Sequence, residues 1–553
     1  MLFFSILSIA CSHAQVSING HRPFYDVKTQ SLLFVTDSSQ MRDFKGCVVI
    51  LDEGWKQVEI DGKALDGVFS FGDVSEGKTF MLSAVVEGQR VSRSVSFTSL
   101  PVLSISKSSE FTNDYEPANI VIDSPDGSFS NESMSITVKH RGGSTNMPDR
   151  HKRNYAVKIV DEKGKSKDVS FFGMREDNKW ILDAGQIDLF RMRNRLCHSL
   201  WLDFSAKPYY VSEEPKMVNG CRNREVEVFV NNEYRGIYNL MEPLDRKQLK
   251  LKKYKDKDGV HGLLYKTESW HGTKFDDGKT PYDNGQVMWE GWEAKYPEPG
   301  DDADTTDYKP LMDMITFLDL SSDDEFRKEI ADRVDLPVFI DYVLFVNLIN
   351  AFDNVGKNMY WSVYDKTSEK YDRLVPTPWD LDATFGQFYD NKSPVDSSVL
   401  RPTMSVGSVT RIEDRLLEVL GSEYVEKLEG RYAELRKTWF SGESLSQRFE
   451  TAFEEIKTGG AAKRETEKWS GDTDLGRNEL DFGAQLQYIK NWTAARLAYL
   501  DEVYHYNDIT GITHVSSGKP FYTQGQAYNL QGQKVSNSYK GVVIKNGMKY
   551  YQR

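Results

Sequence analysis

Apolar and polar positions alternate in short runs through the first hundred residues. Runs such as "CVVILDEG" and "FMLSAVVEGQ" are separated by turns rich in Gly, Asp and Ser. Because side chains of a strand point alternately to two faces, this pattern predicts short, half-buried strands. Residues 15–100 are therefore predicted to form a small β-sandwich. The stretch "TSLPVLSIS" at 98–106 predicts the joint to a new domain.

Strand patterns continue to about residue 240. In "EVEVFVNNEYRGIYNLME" three valines alternate with polar residues and Asn231-Asn232 can turn, which predicts a β-hairpin. "SMSITVKHRGGST" and "NYAVKIVD" predict two more strands, the first of which runs into a glycine turn. Between these strands, "DLFRMRNRLCHSLWLDF" has the spacing of a helix.

Helices dominate after residue 311. "DLPVFIDYVLFVNLIN" begins with Asp335 as a helix cap and Pro337 in the first turn, and it is apolar nearly all round. It predicts a buried helix that ends just before Asp353. "KNMYWSVYD" and "RLVPTPWDLD" then predict two short strands. Amphipathic helices are predicted at 411–440, 444–457 and 484–504, and strand-type residues return in 507–553.

Composition and charge narrow the class of protein. A chain of 553 residues is too long to fold around a single hydrophobic core, and its apolar fraction of 39% is enough to form the cores of several domains. The net charge of −13 disfavours a protein that coats nucleic acid, so no nucleic-acid partner is expected. There is no H-E-x-x-H, no Cys/His cluster and no G-x-S-x-G, which disfavours metal hydrolases and serine hydrolases.

The first fourteen residues resemble a signal peptide. An apolar run from Leu2 to Ala10 is followed by small residues up to Ala14, although a positively charged start is missing. We expect cleavage after Ala14 and export to the periplasm, the cell surface or the medium. The alternative is a lipid anchor at Cys11.

Neither a membrane span nor a disulfide framework is predicted for the rest of the chain. No later stretch has the ~18 consecutive apolar residues of a membrane span. Three scattered cysteines remain, and a pairing of Cys197 with Cys221 stays open.

The stretch "AFDNVGKNMYW" carries the main candidate chemistry. Asp353 is followed five positions later by Asn358, which is the spacing of a kinase catalytic loop. In such a loop the aspartate orients the attacking hydroxyl and the asparagine holds a metal ion. The residues from Asn354 to Lys357 are interpreted as a spacer in which Gly356 allows the turn. The structural alternative is that both polar residues only cap a helix end and a turn.

A second acidic element follows in "PTPWDLDATFG". Asp380 or Asp382 could supply the other oxygen ligand for Mg²⁺. If both lie in one strand they share a face, which also leaves a glycosidase as a weaker alternative. That reaction needs two carboxyl groups across a cleft, and no such arrangement is indicated.

A candidate phosphate loop lies in "HRGGSTNMPDRHKRNYAVKI". A strand runs into Gly142-Gly143, Ser144 and Thr145, and a second strand carries Lys158. Backbone N–H groups and a lysine can hold phosphates in this way. The alternative is an ordinary hairpin in which Lys158 faces solvent.

Taken together, ordered stretches resemble the spore coat protein H (CotH) kinase family. They are "RGGST" with "NYAVKI", "KWILDAGQIDLFRMRN", "VEVFVNNEYRGIYNLMEPLD", "FIDYVLFVNLINAFDNVGKNMYW" and "PTPWDLDATFG". The resemblance covers about 101–505. Gly143 stands where many members of the family have Asn.

The resemblance implies an α+β fold class. It places an atypical protein-kinase-like catalytic domain with a helical C-terminal part at 101–505, after the β-sandwich of 15–100. A β tail at 506–553 resembles sorting tails of exported proteins in some Gram-negative bacteria. The implied activity is metal-dependent transfer of phosphate from ATP to a secreted or surface protein. The alternative is a non-catalytic surface or assembly protein on the same scaffold.

The resemblance also implies roles for single residues. Asp353 is implied as the catalytic aspartate, Asn358 and Asp380 as ligands of Mg²⁺ or Mn²⁺, and Asp382 as an alternative ligand or structural partner.

Four further residues are assigned to ATP. Lys158 is implied to hold the phosphates, and Arg141, Ser144 and Glu242 are the other candidates for nucleotide binding.

Overall fold

The structure of this protein is a computed structural model that contains both helices and strands, so the predicted α+β class is confirmed. It describes residues 16–51, 54–269, 275, 280–388, 395–398, 410–472, 480–507, 527–529, 534–536, 540–545 and 548–552. The predicted signal peptide 1–14, including Cys11, lies outside the described residues.

Short strands make up most of the first half of the chain. In chain order they are β1 Val16–Ile18, β2 Phe24–Asp26, β3 Ser31–Val35, β4 Cys47–Leu51, β5 Trp55–Ile60, β6 Lys63–Ala64, β7 Val68–Phe69, β8 Phe80–Val86, β9 Gln89–Thr98, β10 Val102–Ser106, β11 Glu116–Asp123, β12 Glu132–Arg141, β13 Asn154–Ile159, β14 Val169–Ser170, β15 Glu176–Asp177, β16 Lys179–Asp183, β17 Asn223–Val230, β18 Glu233–Met241, β19 Leu263–Thr267, β20 Met288–Trp289, β21 Trp292–Tyr296, β22 Met359–Val363, β23 Val375–Pro378, β24 Ala527–Asn529, β25 Lys534–Val535, β26 Gly541–Lys545 and β27 Met548–Gln552.

Helices follow mainly in the second half. They are α1 Arg193–Phe204, α2 Arg246–Leu249, α3 Lys309–Leu320, α4 Asp323–Arg333, α5 Leu336–Ile349, α6 Arg411–Val419, α7 Ser422–Arg436, α8 Gly442–Lys457, α9 Ala461–Trp469 and α10 Phe482–Val503, with short 3-10 helices at Ser38–Asp43, Ser144–Asn146 and Asp353–Val355. The sequence pattern predicted most of these elements but missed α9.

The chain divides into two compact units. The first consists of Met1–Arg191, Asn223–Glu242 and Glu450–Gln485, and the second of Met192–Arg222, Pro243–Phe449 and Leu486–Arg553. Both units are therefore discontinuous in sequence, a feature that local patterns do not reveal.

Two sheets of the first unit share one core. A six-stranded sheet has the order β2-β3-β9-β8-β5-β6, and a three-stranded sheet has the order β1-β4-β7. Alternate side chains of both sheets, such as Phe34, Val49 and Phe97, are buried in a common apolar cluster. This arrangement follows from the period-two pattern of these strands.

A closed barrel forms the rest of the first unit. Its strand order is β10-β11-β12-β13-β16-β18-β17, and β10 closes it by pairing parallel with β17. The predicted hairpin is confirmed, since β17 and β18 pair antiparallel and both Asn231 and Asn232 have positive φ. The interior is filled by alternate apolar side chains, including Val157, Trp180 and Val228.

Helix α9 packs against β18 of the barrel through a buried carboxylate. Glu465 Oε1 accepts hydrogen bonds from Lys152 Nζ at 2.7 Å and from Arg191 Nε at 2.6 Å. Its Oε2 accepts from the backbone N–H of Ile237 at 2.7 Å. Gly236 makes room for this contact, because a Cβ atom there would lie 1.9 Å from Glu465 Oε2.

A five-stranded antiparallel sheet and most of the helices form the second unit. The order of this sheet is β20-β21-β19-β22-β23, and α5 packs against β23. The predicted buried helix is confirmed in α5, whose N-cap Asp335 accepts from the N–H of Val338. Arg496 Nε of α10 donates to the carbonyl of Asn347 near the other end of α5, at 2.8 Å.

Three smaller expectations can be compared with the described residues. Cys47, Cys197 and Cys221 are buried thiols, so the pairing of Cys197 with Cys221 is not formed. Among the described helices, none has the length and apolar character needed to cross a membrane. The described tail residues form a four-stranded sheet with the order β25-β24-β26-β27.

The buried carboxylate of α9 gives a stability prediction. Glu465→Gln removes the charge that two buried cations share, and breaking such a pair typically costs about 3–5 kcal/mol. We expect a loss of that size in the free energy of unfolding, measured by urea denaturation. Glu467→Gln, at an exposed position of the same helix, is the control. Equal effects of the two substitutions would contradict the role given to Glu465.

Candidate active site

The end of helix α5 sets the position of Asp353. The helix ends at Asn350, which has a left-handed backbone with φ of 52°. A short 3-10 helix, Asp353–Val355, follows at once. The carbonyl of Asp353 accepts from the N–H groups of Gly356 at 3.3 Å and Lys357 at 2.9 Å, which closes the turn.

The carboxylate of Asp353 contacts two side chains of its own loop. Asn358 Nδ2 donates to Asp353 Oδ2 at 3.3 Å. Lys357 Nζ lies 3.3 Å from the same oxygen, and the Asp353 side chain is 23% exposed. Burial raises the pKa of Asp353, and the charge and hydrogen bond of Lys357 oppose this increase. The structure therefore brings Asp353 and Asn358 together at a position that solvent can reach.

Asn358 joins this loop to the sheet. Its backbone is left-handed, with φ of 55°. Its N–H donates to the carbonyl of Thr267 at 3.1 Å, and its own carbonyl accepts from the N–H of Trp379 at 3.2 Å. Asn358 therefore lies beside the end of β23, where the chain continues into Asp380.

Asp380 and Asp382 lie beyond the strand and not within it. Strand β23 ends at Pro378, so the expectation that both carboxylates share one face of a strand is wrong. Asp380 is exposed and left-handed, with φ of 59°, whereas Asp382 is half-buried. Between them, the N–H of Leu381 donates to Asn194 Oδ1 at 3.1 Å. This anchor fixes the backbone next to both carboxylates.

The donor set at this end of the hairpin suits a hard cation. Within the described residues, no group of three or more His, Cys, Asp or Glu side chains could hold a metal ion. Mg²⁺ is commonly held by one or two carboxylates together with phosphates and water. The amide oxygen of Asn358 and the carboxylates of Asp380 and Asp382 are oxygen donors of the kind used in such sites.

Arg141 and Lys158 occur in the barrel of the first unit. They lie on the adjacent antiparallel strands β12 and β13, where Arg141 pairs with Asn154 and Lys158 pairs with Thr137. Side chains on either side of Lys158 are buried in the barrel, so Lys158 points outward. Its Nζ lies 3.9 Å from the centre of the Tyr115 ring. The two cations are thus on one surface but separated by several residues along the strands.

The other two nucleotide candidates have different surroundings. Ser144 begins a short 3-10 helix after the glycine turn and is exposed. Glu242 is fully buried at the end of β18, and its Oε1 accepts from the backbone N–H of Arg175 at 2.7 Å. Ser144 is accessible to a phosphate, whereas Glu242 holds the protein backbone.

Sequence reasoning missed the roles of the residues between Asp353 and Asn358. The spacer interpretation is wrong, because Asn354 is buried and hydrogen-bonded and Lys357 contacts Asp353. Gly356 lies in the closed turn, where its φ is −152° and its N–H donates to the carbonyl of Asp353 at 3.3 Å. A polar residue at a buried position beside Asp353 is not visible in a pattern of spacing alone. The available signal in the sequence was that a second polar residue, Asn354, directly follows Asp353.

Comparisons with known proteins agree with the resemblance seen in the sequence. A family model described as CotH kinase protein matches residues 138–500, which is more than half of the chain. The matched range includes every candidate residue named above. No curated protein matches the chain.

The ion pair beside Asp353 gives a titration prediction. Lys357 opposes the increase that burial causes in the pKa of Asp353, so Lys357→Gln should raise this pKa further. Carboxyl ¹³C NMR titration measures it, with Asp353→Asn used to assign the resonance. Lys357→Arg keeps the charge and should leave the pKa closer to that of the wild type. An unchanged or lower pKa in Lys357→Gln would contradict the predicted coupling.

Proposed function

The chain belongs to the CotH kinase protein family, and from this premise we propose that it transfers phosphate from ATP to a protein. In this proposal residues 101–505 form an atypical kinase-like catalytic domain. The acceptor is a secreted or surface protein, and the reaction requires Mg²⁺ or Mn²⁺.

One observation carries this proposal most directly. The amide of Asn358 lies against the carboxylate of Asp353, with Nδ2 and Oδ2 separated by 3.3 Å. The same asparagine begins the hairpin whose other strand leads to Asp380. Phosphoryl transfer needs a carboxylate near the incoming hydroxyl and oxygen ligands close by. In this proposal Asp353 is the carboxylate, and Asn358 and Asp380 are the oxygen ligands.

Asp353 has the properties of the residue that orients the acceptor. In its ionised form it accepts a hydrogen bond from the acceptor hydroxyl and can take its proton as the bond from the hydroxyl oxygen to the γ-phosphorus forms and the bond from that phosphorus to the bridging oxygen of ADP breaks. Burial raises the pKa of Asp353, and the charge and hydrogen bond of Lys357 oppose this increase. Its partial exposure leaves space for an acceptor side chain.

Asn358 and Asp380 are the proposed metal ligands, with Asp382 as the alternative to Asp380. The bound ion would neutralise charge on the β- and γ-phosphates of ATP. The left-handed backbone at Asn358 and at Asp380 sets the direction of each side chain. These two residues orient the phosphates, and Asp353 orients the acceptor.

The four candidate nucleotide-binding residues of the first unit differ in their exposure and surroundings. Lys158 and Arg141 lie on one outer surface of the barrel together with Tyr115, and Ser144 is exposed on the loop between their strands. In this proposal these three side chains bind phosphate. Glu242 is proposed to act indirectly, by holding the backbone at Arg175.

The kinase proposal predicts loss of activity without the Asp353 carboxylate. With ATP and Mg²⁺ or Mn²⁺, wild-type protein should incorporate phosphate into itself or into a surface protein. Asp353→Asn should reduce the rate by about 10²–10⁴-fold, the usual contribution of an acid–base group. Incorporation of labelled phosphate measures the rate, and Asp332→Asn, at a largely exposed side chain of α4, is the control.

Equal, background-level incorporation by wild type and Asp353→Asn with either metal would contradict the kinase proposal. A thermal shift then decides whether nucleotide binds at all. At 100 times the dissociation constant, ATP with metal should stabilise the folded state by about 2.7 kcal/mol. No shift and no activity together would favour a non-catalytic surface or assembly protein.

Export is the second part of the proposal, and it is supported by the sequence at both ends of the chain. We expect the mature protein, expressed in its native host, to begin at Gln15 after cleavage behind Ala14. Mass spectrometry of the mature N-terminus measures this directly. A lipidated Cys11 at the N-terminus would support anchoring in its place, and an uncleaved cytoplasmic chain would contradict export.

A further inference from the structure

The side chain of Asn354 joins the two segments that carry the proposed metal ligands. Asn354 is 1% exposed and follows Asp353 directly. Its Nδ2 donates to the carbonyl of Asn358 at 2.8 Å and to the carbonyl of Trp379 at 2.7 Å. A primary amide nitrogen has two hydrogens, so both are used.

These two carbonyls are the ones closest to the proposed ligands. One belongs to Asn358 itself, and the other belongs to the peptide bond that connects Trp379 to Asp380. Fixing them sets how far apart the two ligand backbones lie. The contact therefore acts on the spacing of the metal site without touching the ion.

The backbone ladder alone gives weak support at this point. Strands β22 and β23 pair up to Met359 and Pro378, and beyond that pair the N–H of Asn358 donates to the carbonyl of Thr267 instead of to that of Trp379. The bond from Trp379 N–H to the Asn358 carbonyl is the next one beyond that pair, at 3.2 Å. Asn354 adds two bonds where the ladder lacks one.

Both ligand residues have a left-handed backbone. The φ values are 55° at Asn358 and 59° at Asp380, in a region that Asn and Asp adopt more readily than most other residues with a side chain, but still infrequently. Such conformations persist when surrounding contacts determine them. The amide of Asn354 contacts the peptide unit beside each of them.

The position of Asn354 is itself fixed from the other side. Tyr342 of α5 is fully buried, and its hydroxyl donates to the carbonyl of Asn354 at 2.9 Å. The N–H of Asn354 donates to the carbonyl of Ala351 at 3.2 Å. Asn354 is therefore hydrogen-bonded to α5 through its backbone carbonyl and to the hairpin through its side chain.

We propose that Asn354 is a positioning residue that sets the spacing of Asn358 and Asp380 for one divalent cation. This inference rests on the proposed function, since it assumes that the two residues share an ion. A purely structural role would affect folding but leave the metal affinity of the folded protein unchanged.

Asn354→Leu tests the proposal, because leucine has a similar size and no charge but donates no hydrogen bond. We expect Mn²⁺ to bind about 10–100-fold more weakly, the usual effect of removing a residue that holds metal ligands. Electron paramagnetic resonance of free Mn²⁺, in the presence of a non-hydrolysable ATP analogue, measures this affinity. Affinity for the analogue without metal should stay unchanged.

Asn347→Leu is the matched control. It makes the same substitution at another buried asparagine, whose Nδ2 donates to the hydroxyl of Tyr504 at 3.1 Å and not to the ligand segments, so Mn²⁺ affinity should remain close to that of the wild type. Circular dichroism and thermal melting establish that each variant is folded. If Asn354→Leu does not fold, Asn354→Ser replaces it in the test. This variant retains one donor, and it should still bind Mn²⁺ more weakly than the wild type.

The outcomes separate the two proposals. Wild-type protein that binds no Mn²⁺ with the ATP analogue would overturn the proposed function, and this inference with it. Wild-type binding with an unchanged affinity in folded Asn354→Leu, or in folded Asn354→Ser if the leucine variant does not fold, would overturn the positioning role alone. An equal loss in Asn347→Leu would also overturn it, because the effect would then follow from any loss of a buried asparagine near the end of α5.

Discussion

The backbone carbonyl of Asn358 is the point on which the candidate site depends. It accepts one hydrogen bond from the N–H of Trp379 and another from the side chain of Asn354. Through these bonds the end of α5, the start of β22 and the end of β23 meet. Asp353, Asn358 and Asp380 are far enough apart in sequence to need such a junction. Their chemistry is therefore a property of the junction and not of any single element.

Burial explains why this junction is stable. Helix α5 is apolar almost throughout, and it packs on the sheet that carries Asn358. A helix of this kind cannot move relative to the sheet without exposing its apolar surface to water. The polar residues at its end are consequently held in one arrangement. In the first unit, a buried charged cluster around Glu465 has a similar effect on α9 and the barrel.

Local patterns in the sequence predict the elements around the site better than their assembly. The cap at Asp335, the Asn231-Asn232 turn and the strands β22 and β23 follow from residues adjacent in sequence. Closure of the barrel by β10 and β17 depends on partners more than a hundred residues apart, which periodicity does not encode. Helix α9 was missed because its nine residues are rich in charge, and its buried face includes a glutamate.

For the site itself, spacing predicted the pair Asp353 and Asn358 but not the contacts between them. The roles of Asn354 and Lys357 depend on three-dimensional neighbours, and the left-handed backbone at Asn358 is not visible in the sequence. For Lys158, in contrast, a local pattern was sufficient. The alternation of side chains along its strand indicated that Lys158 could face outward, and in the structure it lies outside the barrel core, above the Tyr115 ring.

A structure of the protein with a non-hydrolysable ATP analogue and Mn²⁺ tests the central claim most directly. The predicted result is one ion bound by both the Asn358 amide oxygen and the Asp380 carboxylate, with Asp353 facing the γ-phosphate. An ion held elsewhere, or a γ-phosphate remote from Asp353, would contradict the claim that this junction is a phosphoryl-transfer site.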